Sequence, residues 1–171
     1  MLIDDFNKTL DVWLEDLYRY DIETLRIQPD PSSWSLGQLY RHLIEETSWY
    51  FAQLEICLEN PENSTKEMTP DAKAMFQKNS FPDELIKGDP FISASIKQPV
   101  SLQSLQNEFV QLKKNAASIW MKIEKSKTYG KSQHPGFQFL TPREWFQYAE
   151  MHMRHQLKQK SRIELFLKSR Q

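Results

Sequence analysis

The chain has 171 residues, of which 22 are Lys or Arg and 23 are Asp or Glu, so its formal net charge is −1. This length suits one domain, which we expect to span residues 1–171. The balanced charge excludes a strongly basic nucleic-acid-binding protein and an acidic solvating tail. Hydrophobic residues make up 39% and aromatic residues 12% of the chain, which argues against global disorder.

The cysteine content and the length of the apolar runs indicate in which cellular compartment the protein is expected. The lone Cys57 excludes an intramolecular disulfide framework and fits a reducing compartment. No stretch approaches the roughly 18 consecutive apolar residues that a membrane span needs. Residues 1–6 turn acidic at once and lack the cationic start of a secretory signal. We therefore expect a cytoplasmic protein with neither a membrane nor a nucleic-acid partner.

Proline placement divides the chain into four long windows without proline, at 1–28, 32–60, 100–134 and 143–171. Proline inside a helix costs about 3 kcal/mol, so each window is a natural helix candidate. In every window apolar residues recur three or four positions apart, which is the pattern of an amphipathic helix.

The first two windows carry long apolar stripes and are joined by a tight turn over 28–32. The first stripe consists of Ile3, Phe6, Leu10, Trp13, Leu17, Tyr20 and Thr24. The second window opens at residues 33–35, and its stripe consists of Leu36, Leu39, Tyr40, Leu43, Thr47, Tyr50, Leu54 and Leu58. Both windows therefore predict long helices.

The last two windows repeat this pattern. The third stripe consists of Leu102, Leu105, Phe109, Leu112, Ala116, Ile119 and Ile123, and the fourth of Trp145, Tyr148, Ala149, His152, Ile163, Phe166 and Leu167. Thr141, Pro142 and Glu144 form a near-complete helix-start signature for the fourth helix. Residues 126–140 are interpreted as a loop between the two helices.

A long connection over residues 61–99 separates the second and third helices. It holds five prolines, predicts one short helix near 70–78 and carries a weak strand signal at 90–93. Such a connection frees helices two and three from being antiparallel neighbours. The sequence thus predicts an all-α four-helix bundle with a long connection between helices two and three.

Polar residues interrupt the apolar face of the fourth helix. At about 100° per residue, His152, Gln156 and Gln159 fall in the middle of that face, and His155 lies about 60° to one side. A buried polar group without a partner costs about 1–3 kcal/mol. The cluster therefore indicates a shared partner, a ligand or water.

His42 lies on the shoulder of the apolar face of the second helix, with Glu46 one turn further on. Metal sites in the cores of helical bundles are built from side chains on facing helices, such as one His from one helix and a His pair from another. Imidazole is a suitable ligand for Zn, Ni, Fe or Cu. The alternative is a set of core histidines that satisfy each other. Glu46 could orient His42 or act as a base, or it could lie on a solvated helix flank.

The outer side of the last helix is basic. It carries Arg154, Lys158, Lys160, Arg162, Lys168 and Arg170. We interpret this charge as a solvated flank that also interacts favourably with the helix C-terminus, not as a nucleic-acid site. Cys57, near the end of the second helix, is predicted to be a small core residue.

Several segments resemble the DinB/YfiT-like superfamily. The run Trp-Ser-Leu-Gly-Gln-Leu-Tyr-Arg-His from Trp34 to His42 resembles that family's first metal motif. Residues 134–145 are similar to its lead-in to the last helix. Residues 150–159, Glu-Met-His-Met-Arg-His-Gln-Leu-Lys-Gln, resemble its second metal motif. The resemblance covers the whole chain in order.

The resemblance implies an antiparallel four-helix bundle, often a homodimer, in which a His triad holds a divalent metal such as Ni, Zn, Fe or Mn. Relatives of this kind include transferases that use a low-molecular-weight thiol and a maleylpyruvate isomerase, both acting on small-molecule substrates. In that chemistry the metal would stabilise a thiolate nucleophile.

This chain departs from the family pattern at one ligand. His42 and His152 match the first two ligand positions, Gln156 occupies the third, and His155 matches the non-ligand His beside it. Either Gln156 coordinates weakly, or His155 substitutes after a small helix rotation, or the metal is lost. We expect weakened or absent metal binding. The hypotheses are a metal-dependent thiol S-transferase or hydrolase and a metal-free small-molecule-binding or dimeric interaction protein.

Overall fold

The computed structural model describes residues 1–82 and 95–170. In these residues the chain forms six α-helices and two short strands. They are α1 (Leu2–Leu17), α2 (Ile22–Arg26), α3 (Leu36–Glu59), α4 (Pro70–Lys78), α5 (Leu102–Lys125), β1 (Ser132–His134), β2 (Gln138–Leu140) and α6 (Pro142–Lys168). The protein is mostly helical, so the predicted all-α class is confirmed, and α4 confirms the short helix expected near 70–78.

Capping boxes fix the start of both helices that carry the candidate ligands. In α3 the Ser35 hydroxyl accepts from the backbone N–H of Gln38, whose side chain accepts from the Ser35 N–H in return. In α6 Thr141 and Glu144 make the same reciprocal pair, with Pro142 in the first turn. Each box satisfies two backbone donors that a helix N-terminus otherwise leaves unpaired.

The four long helices share one apolar core. Helix α3 packs against α5 and α6, and α1 packs against the same two helices. The apolar stripes supply this core, and its largest fully buried side chains include Trp13, Tyr40, Phe109, Phe146 and Trp145. Even here polar atoms find partners, because the Tyr40 hydroxyl donates to the Trp13 carbonyl at 2.8 Å and the Trp13 indole donates to the Met153 carbonyl at 3.2 Å.

The first helix is shorter than its stripe. Helix α1 ends at Leu17, so Tyr20 and Thr24 lie beyond it. The chain restarts as α2, where the Asp21 carboxylate accepts from the backbone N–H of Thr24 at 2.7 Å. Apolar spacing continues across this break, which is why periodicity alone did not reveal it.

The expectation of a plain loop over 126–140 was wrong, because this segment contains an antiparallel hairpin. Strands β1 and β2 pair in the register Ser132↔Leu140, Gln133↔Phe139 and His134↔Gln138. Ser132 anchors the hairpin, since its hydroxyl accepts from the Trp145 indole at 2.7 Å and donates to the Gln53 carbonyl at 3.2 Å. The weak strand signal at 90–93 lies outside the described residues.

The interpretation of the basic residues of α6 as a solvated flank was wrong for Lys160, which is only 4% exposed. Its ammonium lies 2.6 Å from Asp16 Oδ2 and 2.7 Å from Glu164 Oε1. A buried charge needs such pairing to offset its desolvation. The prediction for Cys57 is confirmed, because its side chain is buried in the core.

Among the described residues, no helix combines the length and the apolar character that crossing a membrane requires.

Candidate metal centre

Two histidines that are 110 positions apart in sequence meet between α3 and α6. The Nε2 atoms of His42 and His152 lie 3.3 Å apart, and their ring centroids are 5.1 Å apart. Both residues were candidate ligands from the sequence, and the packing of α3 on α6 brings them together.

Gln156 joins this pair from one turn further along α6. Its amide nitrogen lies 3.3 Å from Nε2 of His152, and its side chain is half-buried. The oxygen and nitrogen of an amide exchange places by a half-turn of the terminal group, so the same position can present an oxygen donor. Two residues of the polar stripe predicted on α6, His152 and Gln156, thus lie at the contact with His42 of α3.

His155 lies beside this cluster and is half-buried. Its ring packs edge-on against Phe81 with centroids 5.3 Å apart. Burial is the main cause of the lowered pKa of His152, and electrostatic interaction with the nearby His155 adds to it. Gln156, rather than His155, holds the position at hydrogen-bond distance from His152 Nε2.

Both imidazoles of the pair are kept neutral. Burial lowers the pKa of His152 well below its ordinary value, and electrostatic interaction with His42 and His155 lowers it further. Burial also lowers the pKa of His42, against the opposing charges of Glu46 and Glu45. A metal ligand must be a neutral imidazole, so burial leaves both rings in the form that binds metal.

The spacing of the two rings fits a shared ion. Imidazole nitrogens bound at about 2.0–2.1 Å around a tetrahedral Zn²⁺ lie about 3.3–3.4 Å apart. The observed separation of 3.3 Å between the Nε2 atoms matches that geometry. Over residues 1–82 and 95–170, no group of three His, Cys, Asp or Glu side chains is arranged to hold an ion. An ion here would therefore depend on two imidazoles and the Gln156 amide.

The outer nitrogens of the two rings are unusual for metal ligands. Nδ1 of His42 and Nδ1 of His152 are both buried, and neither has a hydrogen-bond partner within residues 1–82 and 95–170. A metal-ligating His almost always donates its other N–H to a carboxylate, carbonyl or water, and losing such a partner costs 10–100-fold in affinity. The donor set thus fits a weakly held ion.

Aromatic side chains hold the two imidazoles in place. Trp34 lies against His42 with ring centroids 4.7 Å apart. Tyr50 meets His152 edge to face at 5.7 Å, and Tyr148 stacks nearly parallel to His152 at 6.5 Å. Packing of this kind orients the rings in the absence of hydrogen bonds at Nδ1.

Sequence reasoning assigned Tyr50 and Tyr148 to the core and gave His134 no role. The ring of His134 stacks on Phe137 at 4.6 Å and meets Tyr148 at 4.9 Å. Burial lowers the pKa of His134 to about 4. The spacing of Tyr50, four residues after Glu46, was a signal that could have placed it at the site, whereas nothing local marked His134.

Glu46 does not orient His42. The Tyr50 hydroxyl donates to Glu46 Oε2 at 2.6 Å, while Nδ1 of His42 is unpartnered. The neighbouring Glu45 is exposed and pairs with Arg41 at 3.0 Å. Of the roles that the sequence left open for Glu46, orienting His42 is therefore not realised.

Two surface clefts lie beside the hairpin, away from the histidine pair. They have volumes of about 360 and 270 Å³ and share Lys131 and Phe139 in their walls. Neither cleft is lined by His42 or His152. The histidine pair is therefore set apart from both of these openings.

No protein-family model, curated protein or solved structure matches this chain.

Proposed function

We propose that this chain is a DinB-like four-helix-bundle enzyme of the thiol S-transferase or hydrolase type, dependent on a divalent ion such as Ni, Zn, Fe or Mn. His42, His152 and Gln156 would hold the ion. The single observation that carries the proposal is the 3.3 Å separation of the two neutral imidazole nitrogens. The mutual packing of the four long helices also supports it.

Each residue has a defined task in this proposal. His42 and His152 each offer the Nε2 lone pair, and burial keeps both rings neutral. Gln156 adds an amide oxygen after rotation of its terminal group. A bound ion would lower the pKa of a water or of a low-molecular-weight thiol at the site. Tyr50 and Tyr148, both buried, exclude bulk water from the inner side of the rings.

The test is the metal content of protein purified without an affinity tag or chelator, measured by elemental mass spectrometry. We expect bound ion in the wild-type protein, loss of it in His152→Ala, and tighter binding in Gln156→His. Tighter binding follows because an imidazole is a better ligand than an amide for such ions. Metal content that is unchanged in both variants would refute the site.

A further pair of variants identifies the third donor. If Gln156 completes the site, Gln156→Ala should weaken binding of Ni²⁺ and His155→Ala should not, because Gln156 is the residue at 3.3 Å from His152 Nε2. The reverse result would mean that α6 rotates and that His155 takes this place. Calorimetric titration with Ni²⁺ measures both affinities.

A second candidate function is a metal-free small-molecule-binding or dimeric interaction protein. It is favoured by the two unpartnered Nδ1 atoms, because metal-ligating histidines normally have partners there. A distance of 3.3 Å also suits a hydrogen bond between the two rings, one donating and the other accepting. Failure of the folded protein to take up Ni²⁺, Zn²⁺, Fe²⁺ or Mn²⁺ on titration would select this function.

A further inference from the structure

The smaller of the two clefts beside the hairpin has a volume of about 270 Å³. Its wall combines the last turn of α3, the segment after that helix and both strands of the hairpin. The lining residues are Ile56, Asn60, Glu62, Asn63, Lys66, Lys131, Ser132, Gln133 and Phe139. Pockets for drug-sized ligands have volumes of roughly 300–1,000 Å³, so this cleft suits a smaller molecule.

Lys131 brings a half-buried positive charge to this wall, because only 14% of its side chain is exposed. Its ammonium donates to the backbone carbonyl of Lys66. Glu67 Oε1 lies 3.7 Å from the ammonium, which is beyond hydrogen-bond distance, and Glu67 Oε2 is paired with Lys73 at 2.7 Å. An ammonium group has three donors, so Lys131 keeps donors for an anion in the cleft.

Lys66 supplies a second positive charge. Its side chain is exposed, and its Nζ lies 4.5 Å from the centroid of the Phe139 ring. Within the described residues, no carboxylate forms an ion pair with Lys66, and the wall has one acidic residue, Glu62, which is exposed. Two positive charges against one negative charge favour an anionic ligand.

Apolar surface and an amide complete the wall. The Ile56 side chain is 48% exposed, and the ring of Phe139 is half-buried. A flat apolar group that packs on these two side chains would bury surface that now contacts water. The amide oxygen of Asn60 accepts from the backbone N–H of Glu62 at 3.1 Å, which leaves the amide NH2 group as a further donor.

The backbone beneath the cleft is fixed by hydrogen bonds. The N–H of Gly130 donates to the Cys57 carbonyl at 2.8 Å, and the N–H of Lys131 donates to the Glu62 carbonyl at 2.9 Å. The Asn63 amide donates to the Lys131 carbonyl at 3.4 Å. These bonds hold both sides of the cleft in place before a ligand binds, and such preorganisation lowers the entropic cost of binding.

We propose that the smaller cleft is a binding site for a small organic anion with an aromatic ring. Lys66 and Lys131 bind the acidic group of the ligand. Ile56 and Phe139 pack against its ring. Neither His42 nor His152 lines this cleft, so the site does not depend on an ion at the histidine pair.

The experiment is calorimetric titration of the full chain with phenyl phosphate at pH 7.5, in a phosphate-free buffer of low ionic strength. Phenol has the ring without the charge, and inorganic phosphate has the charge without the ring. We expect phenyl phosphate to bind at least about tenfold more tightly than either, because only it uses both the cationic and the apolar part of the wall. Added NaCl should weaken its binding, because salt screens the attraction to the two ammonium groups.

Three lysine variants locate the site. Lys66→Met and Lys131→Met each remove one positive charge and keep an apolar stem, so each should weaken phenyl phosphate binding roughly tenfold or more. Lys127→Met removes the same charge from an exposed position that lines neither cleft, and it should bind as the wild type does. Because Lys66 is exposed, its replacement tests the proposal even if Lys131→Met does not fold.

Nuclear magnetic resonance of ¹⁵N-labelled protein gives an independent readout. Phenyl phosphate should shift the backbone amide signals of residues 60–66 and 131–133, and shifts confined to the surroundings of His42 and His152 would overturn the proposal. Equal weakening by Lys66→Met and Lys127→Met would overturn it too, because the effect would then be one of net charge. Absence of saturable binding at about 10 mM phenyl phosphate would likewise refute it.

Discussion

Replacing both central histidines by leucine should stabilise the metal-free protein. The double variant His42→Leu/His152→Leu removes two buried Nδ1 atoms that have no hydrogen-bond partner. An unsatisfied buried polar group costs roughly 1–3 kcal/mol. If the rings are kept for function, replacing them should raise the free energy of unfolding.

The expected magnitude follows from counting gains and losses. Removing two unsatisfied atoms gains about 2–6 kcal/mol. The variant also loses the contacts of His152 Nε2 with His42 and with Gln156, both at 3.3 Å. Two hydrogen bonds of this kind are worth about 1–3 kcal/mol together. Taking the middle of each range, the net gain is about 2 kcal/mol, or a rise in Tm of roughly 4–8 °C for a chain of this size.

The assay is urea unfolding at pH 7.5 in the presence of a chelator, followed by far-UV circular dichroism. Circular dichroism is preferred to tryptophan fluorescence because Trp34 contacts one of the replaced rings. The single variant His152→Leu leaves His42 Nε2 buried without its partner, so it should gain less than the double variant. The two single variants and the double variant form a cycle whose coupling energy should be at least about 0.5 kcal/mol.

A loss of stability would refute this reasoning. If the double variant unfolds with a free energy more than about 2 kcal/mol lower than that of the wild type, the two imidazoles are a structural hydrogen-bonded pair. Equal stability of all four proteins would show that the Nδ1 atoms are satisfied in solution, by water for instance.

Three further predictions concern the rest of the fold. Thr9→Val should lower the free energy of unfolding by about 1.5–3 kcal/mol in urea titration, because the Thr9 hydroxyl donates to the buried Glu150 carboxylate at 2.7 Å. Gly130→Ala should lower the Tm measured by calorimetry, because its new Cβ would lie 2.2 Å from the Asn60 carbonyl oxygen; unchanged Tm would mean that this backbone shifts freely. Stability should fall as the pH drops from about 6.5 towards about 4, because His134 is protonated in this range in the unfolded chain but not in the folded protein. The variant His134→Gln should lose less stability than the wild type between pH 7 and pH 5. An equal loss in both proteins would contradict this assignment.

Features that depend on nearby residues could be read from the sequence. The capping residues of α3 and α6 act within one turn, so Ser35 and Thr141 mark helix starts by themselves. The apolar stripes likewise need only helical periodicity, and they predicted most of the core. The line of His152 and Gln156 on one face of α6 follows from the same periodicity.

Features that depend on residues distant in the chain could not be predicted from the sequence. Lys160 is buried because Asp16, on a different helix, pairs with it, and no local pattern distinguishes it from the exposed lysine at 158. The hairpin forms because Ser132 reaches Gln53 and Trp145, residues far along the chain or on the next helix. The Glu46–Tyr50 pair was visible as a spacing, but its contact with His152 required the packing of α3 on α6.

The two central histidines lower the stability of the fold, because each buries a polar atom without a partner among the described residues. The buried charged groups Glu150 and Lys160 are paired, whereas both central rings carry an unpaired Nδ1; the other unpaired buried side-chain atoms in the described residues are Asn7 Oδ1 and Thr47 Oγ1. Groups that destabilise a fold in this way are concentrated at functional sites, because activity can require what stability does not. The two rings meet between α3 and α6, and the ring of Tyr50 packs edge to face against His152. Two unpaired Nδ1 atoms at one contact between helices favour a working site over a set of satisfied core residues, and the double leucine variant tests this directly.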